Sequence, residues 1–268
     1  MAKIRFPSVR KIVSVVATAA ALGLAAFAGV SGTAGTAQAA SPGPCDIYAG
    51  GGTPCVAAYS TVRALYHGYF GPMYQVTRAS DDSSKQIWTT RAGGYADAAA
   101  QTAFCAGTTC AISRIYDQSG HGNTLGVEPI GGNGSPDVGA IADALPVTID
   151  GHRVYGVSVQ AGVGYRNDVT NGVPAGSQPQ GAYMVTSGTH VDDLCCFDFG
   201  NAETTNTDTG NGHMDAINFG TECWFPPCYG SGPWIQADLE NGLFQSGSGG
   251  SQNPADTGNS APFVTACA

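Results

Sequence analysis

Short apolar runs alternate with turn-forming residues along most of this chain. Gly, Ser, Thr and Asn recur every few residues, and 39 of the 268 residues are Gly. Such a pattern is typical of an all-β sandwich or barrel whose strands are joined by many turns. The apolar runs predict strands over residues 111–116, 154–159, 183–187 and 234–240.

Two segments instead have a helical pattern. Thr53 can cap a helix that has Pro54 at its first position, and the apolar residues then continue to Leu65. A second, shorter helix is predicted over residues 96–104. The fold predicted from the pattern is therefore all-β with short helices.

The segment 234–240 has the clearest period of two. Alternation places one set of side chains on a core face: Ile235, Ala237 and Leu239. It places a polar set that includes one indole on the opposite face: Trp234, Gln236, Asp238 and Glu240. The dipeptide Asn241-Gly242 predicts a tight hairpin turn, with Leu243 and Phe244 beginning the return strand.

A sheet face with two carboxylates, an amide and an indole suits sugar chemistry. Aromatic planes stack on the C–H faces of sugars, and carboxylates attack or stabilise an oxocarbenium-like centre. The alternative is an ordinary solvated face, because polar residues alternate on many antiparallel sheets. The chain has four Glu, at positions 128, 203, 222 and 240, which narrows the choice of nucleophile without deciding it.

The N-terminus has the pattern of a signal peptide. Four basic residues precede an uncharged apolar run over 12–30, and Ala37-Gln38-Ala39 provides a small-residue cleavage site. We therefore expect residues 1–39 to be a signal peptide, residues 40–268 to form one domain, and the protein to be secreted without a membrane partner. An uncleaved membrane anchor is the alternative, which the Ala- and Gly-rich composition of the run disfavours.

Charge restricts the partners. Loss of the four basic residues in the leader leaves 7 Lys and Arg against 20 Asp and Glu, a net charge of −13. Nucleic acid and other polyanions are therefore unexpected partners, whereas a neutral polysaccharide is not repelled.

All nine cysteines follow the leader, and eight of them form tight local pairs. The pairs predict disulfides in an oxidising compartment: Cys45 with Cys55, Cys105 with Cys110, Cys195 with Cys196 and Cys223 with Cys228. Cys267 is left over. A zinc site is the alternative, but no Cys-x-x-Cys repeat and no suitably placed His accompanies the pairs.

We expect neither a metal nor another cofactor. His121, His190 and His213 do not share a recognised ligand spacing, and the segment 206–210 lacks the later acidic ligand of a calcium loop. The sequence has no phosphate-cradling loop.

Several motifs together resemble the catalytic domain of glycoside hydrolase family 54, the arabinofuranosidase B type. The matching segments keep their order and spacing from about Pro42 to Val264: Gly43-Pro44-Cys45-Asp46-Ile47-Tyr48, Ile115-Tyr116-Asp117-Gln118-Ser119-Gly120, Cys195-Cys196-Phe197-Asp198, Gly200-Asn201-Ala202-Glu203-Thr204 and Gly232-Pro233-Trp234-Ile235. The resemblance implies a concanavalin-like β-sandwich, or jelly roll. It also implies a retaining hydrolase that releases terminal α-L-arabinofuranosyl units from arabinoxylan or arabinan.

The resemblance also assigns roles to residues. Glu240 matches the nucleophile. The matching substrate-binding residues are Asp238, Asn241, Trp224 and the Cys195–Cys196 vicinal disulfide that lines the arabinose site. Reduced thiols, or pairing of these two cysteines with others, remain the alternatives.

One part of the family pattern is missing. The resemblance implies that an Asp after a Gly-Gly pair is the acid/base, yet no Gly-Gly pair in this sequence is followed by Asp. We therefore expect a catalytic domain that is incomplete at its C-terminus, lacks the arabinose-binding module, and is inactive on natural substrates. A lectin-like carbohydrate-binding sandwich and a structural fragment without a ligand are the other interpretations. A monomer is expected.

Overall fold

The computed structural model describes residues 41–130, 134–174, 178–191, 197–201, 215–222, 229–239, 242–244 and 261–267; of Asp238, Leu239 and residues 242–244 it describes the backbone alone. Two short helices and thirteen strands occur in these ranges. The helices are α1 (Pro44–Gly50) and α2 (Ala98–Phe104). The proposed leader, residues 1–39, lies outside the described residues.

The strands are short and mostly antiparallel to their neighbours in sequence. In chain order they are β1 (Pro72–Arg78), β2 (Ser84–Trp88), β3 (Cys110–Ile115), β4 (Leu125–Val127), β5 (Leu145–Ile149), β6 (His152–Gly156), β7 (Tyr165–Arg166), β8 (Tyr183–Ser187), β9 (Asp198–Gly200), β10 (Asp215–Gly220), β11 (Trp234–Leu239), β12 (Gly242–Phe244) and β13 (Phe263–Cys267).

The first half of the chain builds a five-stranded sheet in the order β2-β1-β3-β4-β7, in which all the paired strands are antiparallel. Apolar side chains of β1, β2 and β3 pack on one of its faces, and none is more than 6% exposed: Met73, Tyr74, Val76, Ile87, Ile112 and Ile115. Strands β5 and β6 form a separate hairpin. The opposite face of the five-stranded sheet remains open to solvent at β2.

The second half builds a four-stranded sheet in the order β12-β11-β10-β9 and a pair formed by β8 and β13. Buried side chains from both groups of strands pack together in a second core: Met184, Ile217, Phe219, Val264 and Ala266. Since Met184 belongs to β8 and Ile217 to β10, the two groups are facing layers. The all-β sandwich that the sequence predicts is confirmed.

The helix predicted over residues 53–65 is wrong. Backbone groups of this segment pair with distant parts of the chain: the Ala58 amide donates to Asp117 Oδ1 at 3.0 Å, and the Ala64 amide donates to the Gly94 carbonyl at 2.9 Å. The helix forms at α1 instead, where Pro44 occupies the first turn and the Gly43 amide donates to Asp46 Oδ2 at 2.7 Å. Long-range hydrogen bonds thus outweigh a favourable local cap.

Most of the other predicted elements are present. The helix predicted over 96–104 is α2, which begins after Asp97 accepts a 2.9 Å hydrogen bond from the Ala100 amide. Predicted strands 111–116 and 183–187 correspond to β3 and β8, and 234–240 corresponds to β11. The strand predicted over 154–159 is only half right, because β6 ends at Gly156.

Two disulfides join cysteines that the sequence pairs, Cys45 with Cys55 and Cys105 with Cys110. Cys267 is free and exposed. Neither helix in the described ranges has the length and apolar character needed to cross a bilayer.

Candidate active site

Strand β11, which precedes Glu240, lies between β10 and β12. Its register with β10 pairs Trp234 with Gly220 and Leu239 with Asp215. Its register with β12 pairs Leu239 with Gly242, so that only Glu240 and Asn241 separate the two strands. The predicted hairpin is confirmed, but Gly242 already belongs to the return strand. Glu240 and Asn241 themselves lie outside the described residues.

The polar face of β11 is not the ordinary solvated face that the sequence leaves open as the alternative. Trp234 is 4% exposed and Gln236 is 3% exposed, whereas Ile235, predicted to lie in the core, is 37% exposed. Residues paired across β10 and β11 share a face, so Gln236 lies beside Asn218, which is also 3% exposed. The polar face of β11 is therefore buried at Trp234 and Gln236.

Three polar residues form a row across the neighbouring strands β9, β10 and β11. The register pairs Asp198 with Asn218 and Asn218 with Gln236. The side-chain Nδ2 of Asn218 donates to Asp198 Oδ1 at 3.0 Å, and the side-chain Nε2 of Gln236 donates to the backbone carbonyl of Glu222 at 3.3 Å. We call Asp198, Asn218 and Gln236 the polar row. Asp238 follows Gln236 on the same face, paired with Ala216, and its side chain is outside the description.

Three buried acceptors around the polar row have no hydrogen-bond partner among the described residues. They are Asn218 Oδ1, Gln236 Oε1 and Glu222 Oε2. Buried polar atoms in proteins are nearly always hydrogen-bonded, because an unmade bond costs about 1–3 kcal/mol. Oxygen atoms in this position can accept hydrogen bonds from hydroxyl groups.

The entry to β11 is shaped by the Gly-Pro-Trp sequence. Gly232 has a φ of +67°, and a Cβ at this position would stand 3.1 Å from the Trp234 ring. The Trp234 indole N–H donates to the Tyr229 carbonyl at 2.9 Å. A glycine is needed here both for the backbone conformation and for the close approach of the ring, which fixes the start of β11.

The described ranges do not include most of the remaining predicted site residues. Trp224 and four cysteines lie outside the described residues: Cys195, Cys196, Cys223 and Cys228. Of the carboxylates near Glu240 in sequence, Glu203 also lies outside. Asp215 pairs with Leu239 and so lies on the opposite face from Asp238, where it accepts a hydrogen bond from the Gln180 amide.

Within the described ranges, no group of three His, Cys, Asp or Glu side chains is arranged to hold a metal ion. His121 and His190 are both exposed parts of turns. His213 and the segment 206–210 fall outside the described residues.

The sequence interpretation missed Asn218 and Asp198 as site residues. A single amide inside the otherwise apolar run Ala216–Phe219 was the available signal, because an Asn in a buried strand needs polar partners. Nothing in the sequence alone pairs Asn218 with Gln236, since the register between β10 and β11 depends on the sheet.

Comparison with known proteins gives a consistent result. The family model described as "Alpha-L-arabinofuranosidase B, catalytic" matches residues 44–268. The chain is 56% identical over 229 residues to alpha-L-arabinofuranosidase B of Emericella nidulans, covering 84% of this chain and 45% of that protein. It is 54% identical over 229 residues to an arabinofuranosidase/B-xylosidase of Trichoderma koningii, with the same coverage. The chain thus spans about half the length of the curated relatives it matches.

Solved structures of similar proteins share the fold. A GH54 α-L-arabinofuranosidase soaked with a cyclic sulfate inhibitor has a TM-score of 0.78 and 48% identity, covering 84% of this chain and 48% of that one. An arabinofuranosidase complexed with arabinofuranosyl-alpha-1,2-xylobiose gives the same values. A glutamate-to-glutamine mutant of a GH54 enzyme, soaked with 4-nitrophenyl α-L-arabinofuranoside, has a TM-score of 0.78 and 47% identity.

Proposed function

We propose that this chain, which belongs to the alpha-L-arabinofuranosidase B catalytic family, carries the nucleophile and sugar pocket of a retaining α-L-arabinofuranosidase. The observation that supports it most directly is the polar row. Three polar residues lie side by side on the face of the sheet that continues through Asp238 towards Glu240, with Asn218 and Gln236 buried and Asp198 half-buried. Burial of side-chain amides is costly unless they hold a ligand or one another.

Glu240 is the proposed nucleophile. Its carboxylate attacks the anomeric carbon and forms a glycosyl–enzyme ester while the glycosidic C–O bond breaks and the leaving oxygen takes a proton from a second carboxyl group. Water then gives a proton to that second carboxylate as it attacks the ester, which releases arabinose with retained configuration and restores the Glu240 carboxylate. Glu240 directly follows the last residue of β11 in sequence. Attachment to a strand suits a nucleophile, because its carboxylate must be oriented towards the anomeric carbon.

In this proposal the sugar is held by side chains that hydrogen-bond to its hydroxyl groups and by apolar side chains around its ring. Asp238 and Asn241 bind ring hydroxyls, and Trp224 with the Cys195–Cys196 disulfide provides apolar walls. The unpartnered acceptors Asn218 Oδ1 and Gln236 Oε1 support such a site, because hydroxyl donors of a sugar, or side chains that the sugar orders, satisfy them.

The proposed substrates are terminal α-L-arabinofuranosyl branches of arabinoxylan or arabinan. A solved relative binds arabinofuranosyl-alpha-1,2-xylobiose, in which arabinose is attached to a xylose disaccharide. The net charge of −9 for the whole chain favours a neutral polymer of this type over an anionic one.

Secretion as a monomer is part of the proposal. The leader pattern over residues 1–39 supports export. The disulfides Cys45–Cys55 and Cys105–Cys110 support an oxidising compartment, because such bonds are rare where thiols are kept reduced.

The test uses Glu240→Gln and Asp238→Asn with an aryl α-L-arabinofuranoside. An aryl leaving group needs little acid assistance, so the assay reports the nucleophile even without the acid/base residue. We expect Glu240→Gln to abolish aryl release, and Asp238→Asn to weaken binding with a smaller loss of kcat. External azide should restore turnover in a Glu240→Ala chain and give an inverted product. Near-normal aryl release by Glu240→Ala would refute the assignment.

A second candidate is a carbohydrate-binding sandwich without catalysis. It is favoured by one observation, that no Gly-Gly pair in the sequence is followed by Asp. General acid catalysis is worth about 10²–10⁴-fold, so without it the 268-residue chain should release negligible arabinose from arabinoxylan. Calorimetric binding of arabinose together with no aryl hydrolysis would favour this candidate, whereas strong arabinoxylan hydrolysis would mean that another carboxylate serves as the acid.

A further inference from the structure

Two large aromatic side chains stand in solvent on the outer face of the five-stranded sheet, at the edge strand β2. Phe70 is 61% exposed and Trp88 is 42% exposed. Their ring centroids are 5.9 Å apart, with an angle of 63° between the ring planes, so that together they form an open aromatic corner. Exposure of two such rings side by side is costly in water and indicates a binding surface.

A chain of hydrogen bonds fixes the polar side chains next to this corner. The Trp88 indole N–H donates to Gln86 Oε1 at 3.2 Å, and Gln86 Nε2 donates to the Tyr116 hydroxyl at 3.0 Å. That hydroxyl donates in turn to Gln75 Oε1 at 3.2 Å. We call Phe70, Trp88, Gln86, Tyr116 and Gln75 the outer platform.

Hydroxyl groups extend the outer platform along the strands. Gln75 Nε2 donates to Ser113 Oγ at 3.1 Å, Thr77 Oγ1 donates to Ser113 Oγ at 2.9 Å, and the Thr77 and Ser84 hydroxyls are 2.8 Å apart. From Trp88 to Ser84 the surface runs for about 13 Å along β2, and it crosses three strands over about 10 Å. None of these side chains carries a charge; the exposed Arg114, which pairs with Gln75, is a charged residue beside them on this face.

This combination differs from an ordinary solvated sheet face. A solvated face needs polar groups but no large rings, and exposed Gln side chains usually move freely. Here the rings are exposed and the two amides are held by the Trp88 indole and by the Tyr116 and Ser113 hydroxyls, so little side-chain entropy remains to be lost on binding. Ring faces beside fixed amides and hydroxyls match sugar rings, which present C–H faces and a rim of hydroxyls.

We propose that the outer platform is a second carbohydrate-binding surface that takes the backbone of a neutral, linear polysaccharide such as β-1,4-xylan. It goes beyond the proposed function, because it is built from β1, β2 and the end of β3 rather than from the strands that carry the polar row and Glu240. The net charge of −9 opposes an anionic polymer and does not oppose a neutral one. The platform would hold the polymer so that its branches are kept near the protein.

The experiment is native affinity electrophoresis of the full chain in gels with and without linear β-1,4-xylan that carries no arabinose. Arabinose-free xylan gives the arabinose pocket nothing to bind, so retardation reports the platform. We expect the unaltered chain to be retarded and Trp88→Ala to bind at least about tenfold more weakly. Trp88→Tyr, which keeps a ring, should retain most of the retardation. Gln86→Ala should weaken binding about threefold by releasing the indole.

Phe263→Ala is the matched control, because Phe263 is 52% exposed but lies on β13, in the other half of the sandwich. It should be retarded like the unaltered chain. Circular dichroism and Tm show whether each variant is folded; if Trp88→Ala does not fold, Phe70→Ala and Gln86→Ala replace it.

The proposal is overturned if the unaltered chain is not retarded, or if the folded Trp88→Ala chain, or its replacement Phe70→Ala, is retarded as strongly as Phe263→Ala. It is also overturned if light scattering shows that the platform instead joins two copies of the chain in a Trp88-dependent dimer. Aryl arabinofuranoside hydrolysis, measured in parallel, should be unchanged by Trp88→Ala. If the unaltered chain does not hydrolyse the aryl arabinofuranoside but its retardation still depends on Trp88, the proposed function is refuted and the platform is supported.

Discussion

Asn218 is the residue on which the polar row depends. It is 3% exposed in the middle of β10, and its amide donates to Asp198 at 3.0 Å and to the Phe197 carbonyl at 3.5 Å. An amide can donate to a carboxylate beside it, whereas a second carboxylate cannot. A neutral amide at position 218 therefore avoids the repulsion that a second carboxylate beside Asp198 would cause.

We predict that Asn218→Asp destabilises the protein by about 3 kcal/mol at neutral pH, because it places a buried carboxylate about 3 Å from the half-buried carboxylate of Asp198. The loss should shrink as the pH falls towards 5, where one of the pair takes up a proton. Asn218→Leu, the control, should cost about 1–3 kcal/mol with no such pH trend. Urea denaturation at several pH values measures both. Parallel pH profiles for the two variants would contradict the prediction.

Glu128 provides a second case in which the surroundings of one residue matter. Burial raises the pKa of its carboxyl, an effect that Arg166 opposes and that Asp137 and Asp168 reinforce. Arg166 is mainly committed elsewhere: its Nε lies 2.6 Å from Asp168 Oδ1, whereas its Nη1 is 4.0 Å from Glu128 Oε1. The folded protein thus holds a proton on Glu128 more readily than the unfolded chain does.

From the sign of this shift, the stability contributed by Glu128 is present below its ordinary pKa of 4.5 and is lost as the pH rises through the higher folded value. We therefore expect Glu128→Gln to raise Tm at pH 7 relative to the unaltered chain, and to raise it less at pH 4. Asp168→Asn, which removes the close partner of Arg166, should lower Tm at pH 7. Thermal melts at both pH values would contradict the prediction if Glu128→Gln were neutral or destabilising at pH 7.

At the scale of elements, the segment Gly232-Pro233-Trp234 fixes where β11 begins and how its backbone enters the sheet. A positive φ at Gly232 turns the chain into the strand, and the Trp234 ring packs against the place where a side chain would stand. The indole N–H then holds the strand to the preceding loop at Tyr229. The Gly-Pro-Trp segment therefore specifies a local conformation as well as a burial pattern.

We predict that Gly232→Ala lowers stability more than Gly162→Ala. Both positions have positive φ, +67° and +78°, but a Cβ at 162 meets nothing within 4 Å, whereas at 232 it meets the Trp234 ring. The control should cost about 1 kcal/mol from backbone strain, and Gly232→Ala about 1–3 kcal/mol more from displacement of the ring. Tm and the fluorescence of the buried indole report the two effects. Equal losses at both positions would show that the ring moves away freely.

At the scale of the whole molecule, two disulfides close short loops in the first half of the chain. Cys45–Cys55 joins α1 to the irregular segment that follows it, and Cys45 is fully buried. Cys105–Cys110 joins the end of α2 to the start of β3. These bonds close loops of different length, with sequence separations of 10 and 5.

Removal of Cys45–Cys55 by paired Ala substitutions should therefore cost more stability than removal of Cys105–Cys110. Loop-closure entropy predicts a difference of about 0.6 kcal/mol on a total of about 2–3 kcal/mol for the longer loop. Urea denaturation of the two double variants provides the comparison. A larger loss at Cys105–Cys110 would mean that native contacts around α2, rather than chain entropy, set the effect.

The sequence by itself determined those features that depend on neighbouring residues. Apolar runs located β3 and β8, a period of two located β11, and the helix predicted over 96–104 corresponds to α2. Cysteines close in sequence pair as expected at Cys45–Cys55 and Cys105–Cys110, because short loops limit the choice of partner. The motifs in their order were enough to identify the family.

Tertiary structure alone decided which faces are covered and which distant residues meet. Local signals at Thr53 and Pro54 favoured a helix, but backbone bonds to Asp117 and Gly94 prevented it. Alternation separated the two faces of β11, yet it did not show that Trp234 and Gln236 are buried while Ile235 is 37% exposed. Register between strands, which depends on pairing energies summed over the sheet, brought Asp198, Asn218 and Gln236 into one row.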